Sequence, residues 1–254
     1  MTDVNYWYGN IFENRMLRNT LSEHSRLRTD QLLEGLTPAE QELLISSGVT
    51  HLYKKGEIIF REGGIPTGIF YLVSGRVKKF RTFPKGNEQI FYLCTKGELL
   101  GYHALLGEVL YPDSAGTIED SLITFVPKEN FLSVLHQSTA LANNLLKALG
   151  REFTHFINSI TNSATKSVRE RLAINLLILD DKFKSGDRTK LPSAINLSRA
   201  DLANMVGTAT ETLVRLLHEF QDAGLIKKSE KTISILDRPG VIQEANLGGL
   251  KTKR

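Results

Sequence analysis

The chain has 254 residues and is 41% hydrophobic, enough for two domains with separate cores, and it has no run of about 18 apolar residues that would argue for a membrane span. Its one cysteine, Cys94, excludes an internal disulfide and a cluster held by four thiolates. The net charge of +4 is unevenly spread: residues 166–254 carry 16 Lys/Arg against 11 Asp/Glu, whereas residues 1–165 carry 16 against 17, so an anionic partner would be met by the C-terminal part.

In chain order, residues 1–30 read as a polar extension with aromatics Tyr6, Trp7, Tyr8 and Phe12. Its start, MTDVNYWYGN, lacks a charged-then-apolar leader pattern, so a cytoplasmic location is expected. Thr37 is placed to cap a short helix over Pro38–Leu44. Within residues 31–128, Ile58–Phe60, Ile69–Val73, Val77–Phe80, Gln89–Leu93 and Leu122–Val126 are short β-branched or aromatic runs. Gly56, Gly63, Gly75, Gly86 and Gly97 punctuate them, which predicts a small barrel or jelly roll.

Residues 129–164 read as one long helix, with Glu129–Thr161 spanning about 50 Å. Its stripe of Leu141, Leu145, Leu149, Phe153, Phe156 and Ile160 is expected to meet the same helix of a second subunit. Thr161–Ser167 breaks the pattern with small polar residues and reads as a hinge. Ser167 with Glu170 then caps a helix over Val168–Phe183, followed by a charged loop over residues 184–192.

The most informative stretch is Leu197–Phe220. Ser198 with Asp201 and Thr208 with Glu211 have capping-box spacing, and Gly207 between them permits a tight turn. Leu202, Ala203, Met205 and Val206, then Leu213, Leu216, Leu217 and Phe220, give each helix an apolar face. That is a helix-turn-helix, whose second helix can enter a DNA major groove. Its outward face carries Thr210, Glu211, Thr212, Val214, Arg215 and His218. Lys227-Lys228 and the alternating Thr232–Leu236 then predict a hairpin wing with a basic tip. The winged unit is assigned to residues 165–238 and a tail to 239–254.

This order, together with Gly75-Arg-Val-Lys, Gly97-Glu-Leu-Leu-Gly, Leu197-Ser-Arg-Ala-Asp-Leu-Ala and Val206-Gly-Thr-Ala-Thr-Glu-Thr-Leu-Val-Arg-Leu-Leu, resembles the CRP/FNR superfamily of bacterial transcription regulators over about Leu32–Asp237. The resemblance implies an α+β fold: an N-terminal cyclic-nucleotide-binding-like β-roll (jelly roll), a dimerisation helix and a C-terminal winged helix-turn-helix. It also implies a non-enzymatic homodimer on near-palindromic double-stranded DNA, with RNA polymerase as protein partner.

Carried onto this chain, Thr210, Glu211, Val214 and Arg215 fall at recognition positions. A guanidinium suits guanine O6 and N7, and a carboxylate suits cytosine N4. Glu211 and Arg215, four residues apart, are expected to hold each other. Ser198, Arg199, Thr208 and Thr212 match phosphate-contacting or capping positions, with His218, Lys227 and Lys228 beside them.

The effector is a different matter. Gly97, Glu98, Leu99, Ser114, Ala115 and Phe156 are the pocket candidates, but Asp113 stands where nucleotide-binding members carry an arginine for the cyclic phosphate. A carboxylate repels a phosphate, so cAMP is not expected; no cofactor is assigned, and the effector is either an unrecognised small molecule in the barrel or none. Arg76, Lys78 and Arg81 are the cations considered as substitutes. His103 resembles a ligand position of gas-sensing members, which leaves a haem sensor as one alternative. A ligand-sensing module that controls a protein partner, with vestigial DNA binding, is another.

Overall fold

The computed structural model describes residues 32–45, 48–84, 86–184 and 194–246. The expected N-terminal extension, most of the loop over 184–192 and the last residues of the expected tail lie outside that set. The chain divides into two compact units, one within Arg28–Phe153 and one from Thr154 onward.

The first unit opens with helix α1 (Pro38–Ile45), and Thr37 caps it as expected. The Thr37 N–H donates to Glu40 Oε2 at 2.6 Å, while the Glu40 N–H donates to Thr37 Oγ1 at 3.3 Å. Strands β1 (Val49–Tyr53), β2 (Ile58–Phe60), β3 (Gly68–Ser74), β4 (Arg76–Thr82), β5 (Glu88–Thr95) and β6 (Leu99–Leu100) follow, then helix α2 (Tyr102–Leu106), β7 (Ser114–Thr117) and β8 (Ser121–Pro127). They form two antiparallel sheets, ordered β1-β8-β3-β6 and β2-β7-β4-β5. All five expected runs are strands. The three that were not expected have physical reasons to escape notice: β1 is mostly exposed, β6 has two residues, and β7 is Ser-Ala-Gly-Thr. At the β3–β4 turn Gly75 has φ +96°, and a Cβ there would lie 2.2 Å from Ser121 Oγ, so only glycine fits.

Two helices, α3 (Lys128–Gln137) and α4 (Thr139–Thr165), replace the single helix expected over Glu129–Thr161. Ser138 between them is extended (φ −101°, ψ 102°), and its Oγ accepts from the Leu141 N–H at 3.2 Å, so it caps the second helix. Leu141 and Leu145 are buried with Phe131 and Val134 in this unit's own core, and Leu149 packs against it. The expectation that Leu141 and Leu145 face a second subunit is therefore corrected, while Leu149 is half-buried. At its other end α4 runs on through Thr161 to Thr165. The hydroxyls of these two threonines donate back to Ile157 O and Thr161 O, which lets them stay helical. Of the stretch Thr161–Ser167, expected as a hinge, only Lys166 and Ser167 are non-helical.

In the second unit helix α5 (Val168–Phe183) has the expected bounds, and Ser167 and Glu170 form the full capping box. Helices α6 (Arg199–Val206) and α7 (Thr210–Asp222) follow, then strands β9 (Ile226–Lys228) and β10 (Ile233–Ile235). Ile195 bridges to Ile233, extending this small sheet. Helix α8 (Arg238–Ala245) occupies what was expected to be tail. It starts on an Asp237 cap, and its Val241 and Ala245 are buried where it packs on α5, so it is part of the domain. No helix among the described residues is long and apolar enough to cross a membrane.

Candidate nucleic-acid interface

Helix α6 starts on Ser198, whose Oγ accepts from the Asp201 N–H at 3.0 Å and donates to the Asp201 carboxylate at 2.6 Å. It ends at Gly207, left-handed at φ 71°. The N–H groups of Gly207 and Thr208 both donate to Ala203 O, at 2.9 and 3.1 Å. Thr208 is thereby consumed in closing α6, and Ala209 is the N-cap of α7, without a side-chain cap. The capping box expected of Thr208 and Glu211 does not form, because the turn is too short to give Thr208 that position.

Leu213, Leu216, Leu217 and Phe220 are buried along one side of α7, each worth about 1.5–3 kcal/mol of transfer free energy. Thr210, Glu211, Val214, Arg215 and His218 are exposed on the other side, and Thr212 is half-buried. Beside them the β9–β10 hairpin pairs Lys228 with Ile233 and Lys227 with Ser234. Its turn is closed by Ser229 and Thr232, Lys227 and Lys231 are exposed, and Lys228 is half-buried. Arg199 reaches this turn: its Nη2 donates to Ser229 O at 2.8 Å, and burial lowers the pKa of its guanidinium. Arg199 therefore touches the wing rather than pointing freely outward.

The expected Glu211–Arg215 pair is absent. Arg215 Nη1 donates instead to Glu219 Oε1, one turn further along. The other Glu219 oxygen accepts from Arg169 Nη1 at 2.7 Å. Arg169 in turn holds Glu244 through Nε (2.6 Å) and Nη2 (3.0 Å), with its guanidinium 4.8 Å from the Phe220 ring centre. A second arginine, Arg171, braces the turn of the helix pair. Its Nε donates to Val206 O (2.9 Å), Nη2 to Gly207 O (3.1 Å) and Nη1 to Lys166 O (2.8 Å). Sequence reasoning missed Glu219, Arg169, Glu244 and Arg171. For Glu219, Arg169 and Arg171 the only signal was charge on helices already placed, which is usually just a solvated face; Glu244 fell in the expected tail and gave none.

Inside the β-roll, the Gly97 N–H donates to Leu72 O at 2.7 Å, and Leu99 is buried in β6. The Glu98 carboxylate, also buried, accepts from Tyr92 Oη (2.8 Å) and Thr95 Oγ1 (3.0 Å). Ser114 Oγ accepts from the Glu62 N–H at 2.9 Å, and Ala115 is fully buried. Phe156, the remaining pocket candidate, is 60% exposed on α4.

Asp113 is buried, 3.2 Å from Lys79 Nζ. Burial pushes its carboxyl pKa up while Lys79 pulls it back. For Lys79, burial alone would lower the pKa, but Asp113 and Glu152 more than reverse that. The pair is ionic. The cations considered as substitutes are already engaged, Arg76 with Glu119, Lys78 with Glu88 and Arg81 with Glu62. The one facing Asp113 is Lys79, which had not been considered. His103 Nε2 lies 3.8 Å from Asp113 Oδ1, and burial followed by the nearby Lys79 charge lowers the imidazole pKa to about 3, so the ring is neutral. No cluster of three or more His, Cys, Asp or Glu side chains among the described residues has metal-binding geometry.

A β-roll joined to a capped helix pair with a wing defines a DNA-binding transcription regulator of the helix-turn-helix type. Comparison with known proteins gives the same class. Residues 50–138 match the cyclic nucleotide-binding domain and residues 170–243 the Crp-like helix-turn-helix domain. The transcriptional activator protein anr of Pseudomonas aeruginosa is 30% identical over 184 residues, 72% of this chain and 75% of that one. The cyclic AMP receptor protein of Thermus thermophilus is 28% identical over 209 residues, 82% of this chain and 94% of that one. A crystal structure assigned to the CRP/FNR family, from Eubacterium rectale, superposes with a TM-score of 0.65 at 22% identity, covering 85% of this chain and 97% of the other. The chain belongs to the CRP/FNR family of transcription regulators.

Proposed function

We propose that the protein works as a homodimer that reads near-palindromic DNA through α7 and is not controlled by cyclic AMP. The observation that carries the first part is the exposed face of α7 set beside a basic hairpin. Arg215 donates to guanine O6 and N7, Glu211 accepts from cytosine N4, and Val214 meets a thymine methyl. Thr210 and His218 flank them. Ser198, Thr208, Thr212, Lys227 and Lys228 lie along the phosphates, while Arg199 acts by holding the wing turn.

A stripe on α4 supports the homodimer. Leu146, Phe153 and Ile160 repeat every seven residues with Phe156 and Ile157 between them, and all five are exposed, Leu146 and Phe153 by more than 65%. A heptad seam of this kind is covered most simply by its own copy, and twofold symmetry in the protein asks for inverted half-sites in the DNA. RNA polymerase is the protein partner that this family role calls for.

Independence from cyclic AMP rests on the buried Asp113–Lys79 pair. An entering phosphate would meet a carboxylate, and the one cation facing it is already neutralised. That is why the reading departs from the name of the Thermus thermophilus relative. A haem-based reading has less to rest on, since His103 Nε2, an atom that could bind iron, is turned towards Asp113.

Selection of random duplexes with the purified protein tests the proposal. The expected result is a pair of inverted half-sites, each with an invariant inner G·C pair, together with no heat on calorimetric titration with cyclic AMP. Recovered duplexes without a common sequence would overturn the DNA part, and saturable heat the effector part.

A further inference from the structure

We infer that Glu219, backed by Arg169 and Glu244, is a positioning group that fixes the angle at which Arg215 meets its base pair. The inference rests on the proposed role of α7 and deepens it. The Arg215 side chain is 65% exposed, and an arginine so placed samples many rotamers, which blurs any preference it has for one base. Here its Nη1 is tied to Glu219.

An isolated exposed pair of that kind does little. Glu219, however, is itself held. Its second oxygen accepts from Arg169, which is fixed by both oxygens of Glu244 and lies over Phe220, a fully buried ring. Charges alternate along this line from α8 through α5 to α7. Only one N–H of Arg215 is used. The other Nη1 proton and the Nη2 and Nε donors stay available, so base contact does not require the brace to let go.

Glu219→Ala and Glu219→Gln test this on a selected site and on the same site with the base pair read by Arg215 replaced. Denaturation midpoints check that both variants fold. Discrimination at that one pair is expected to fall about three- to tenfold in Glu219→Ala and by less in Glu219→Gln, which still accepts a hydrogen bond, with other positions unchanged. In an Arg215→Ala background, Glu219→Ala is expected to change nothing further.

A uniform loss across all sites, or unaltered discrimination while Arg215→Ala destroys it, would overturn the positioning role and leave the reading of α7 intact. If Arg215→Ala leaves base preference untouched, the reading of α7 fails and this inference fails with it.

Discussion

Inside the β-roll, buried Asp113 is met by Lys79 and buried Glu98 by Tyr92 and Thr95; on α7, Arg215, Glu211 and His218 stand in water on a face with no apolar cover. The family resemblance implies a small-ligand site around Glu98 and Asp113, and DNA contacts at Glu211 and Arg215. The difference lies in what already satisfies each charge. A buried pair is closed by its own partner and costs several kcal/mol to open, whereas an exposed arginine with spare donors gives up little in meeting a new acceptor. Family motifs therefore mark places, and the partners around each place decide whether it still receives anything.

The sharpest way to break this contrast is Lys79→Met, which strands Asp113 without its cation. Urea unfolding is expected to show a loss of about 3–5 kcal/mol, much of it recovered when Asp113→Asn is added. A loss below about 1 kcal/mol would mean that the pair is not closed as described. On the DNA side, Arg215→Ala is expected to cost about 1–3 kcal/mol at one base pair and little elsewhere, read from binding across a set of operator variants.

Acid probes the β-roll again. The pKa of His103 is lowered to about 3 in the folded chain, so the unfolded chain binds the proton more readily and acid favours unfolding. Stability due to this group is complete above the ordinary imidazole pKa. It should drop by about 1.4 kcal/mol per pH unit as pH falls from near 6.5 towards 3. His103→Gln should flatten that slope in denaturation curves taken between pH 4 and pH 7. The smallest effect belongs to Lys227→Ala, which should weaken all DNA sequences alike and reduce the slope of log affinity against log salt by about 1.

Much of the fold was legible because local chemistry and final structure agree. The caps at Thr37, Ser167 and Ser198 form, and the apolar periodicity of α5 and α7 marks their buried faces. The failures have particular causes. Ser138 interrupts a helix without Pro or Gly, and leucines on both sides of it still reach one core, so the apolar pattern gives no sign of the break.

Lys79 was passed over because a lysine on a strand reads as a solvent-facing residue, and only its contact with Asp113, 34 residues away in sequence, shows otherwise. The partner of Arg215 was misjudged because Glu211 and Glu219 are both four residues away from it. Only the presence of Arg169 behind Glu219 separates the two, and that contact joins residues 50 apart in sequence.

Arg171 has one more lesson. A single guanidinium stitches Lys166, just ahead of the α5 cap, to the Val206 and Gly207 carbonyls at the bend between α6 and α7. Pulling either end away strands acceptors at the other, so the reading head and its stalk loosen together. A lysine there, with a single nitrogen to share, would leave that seam half sewn.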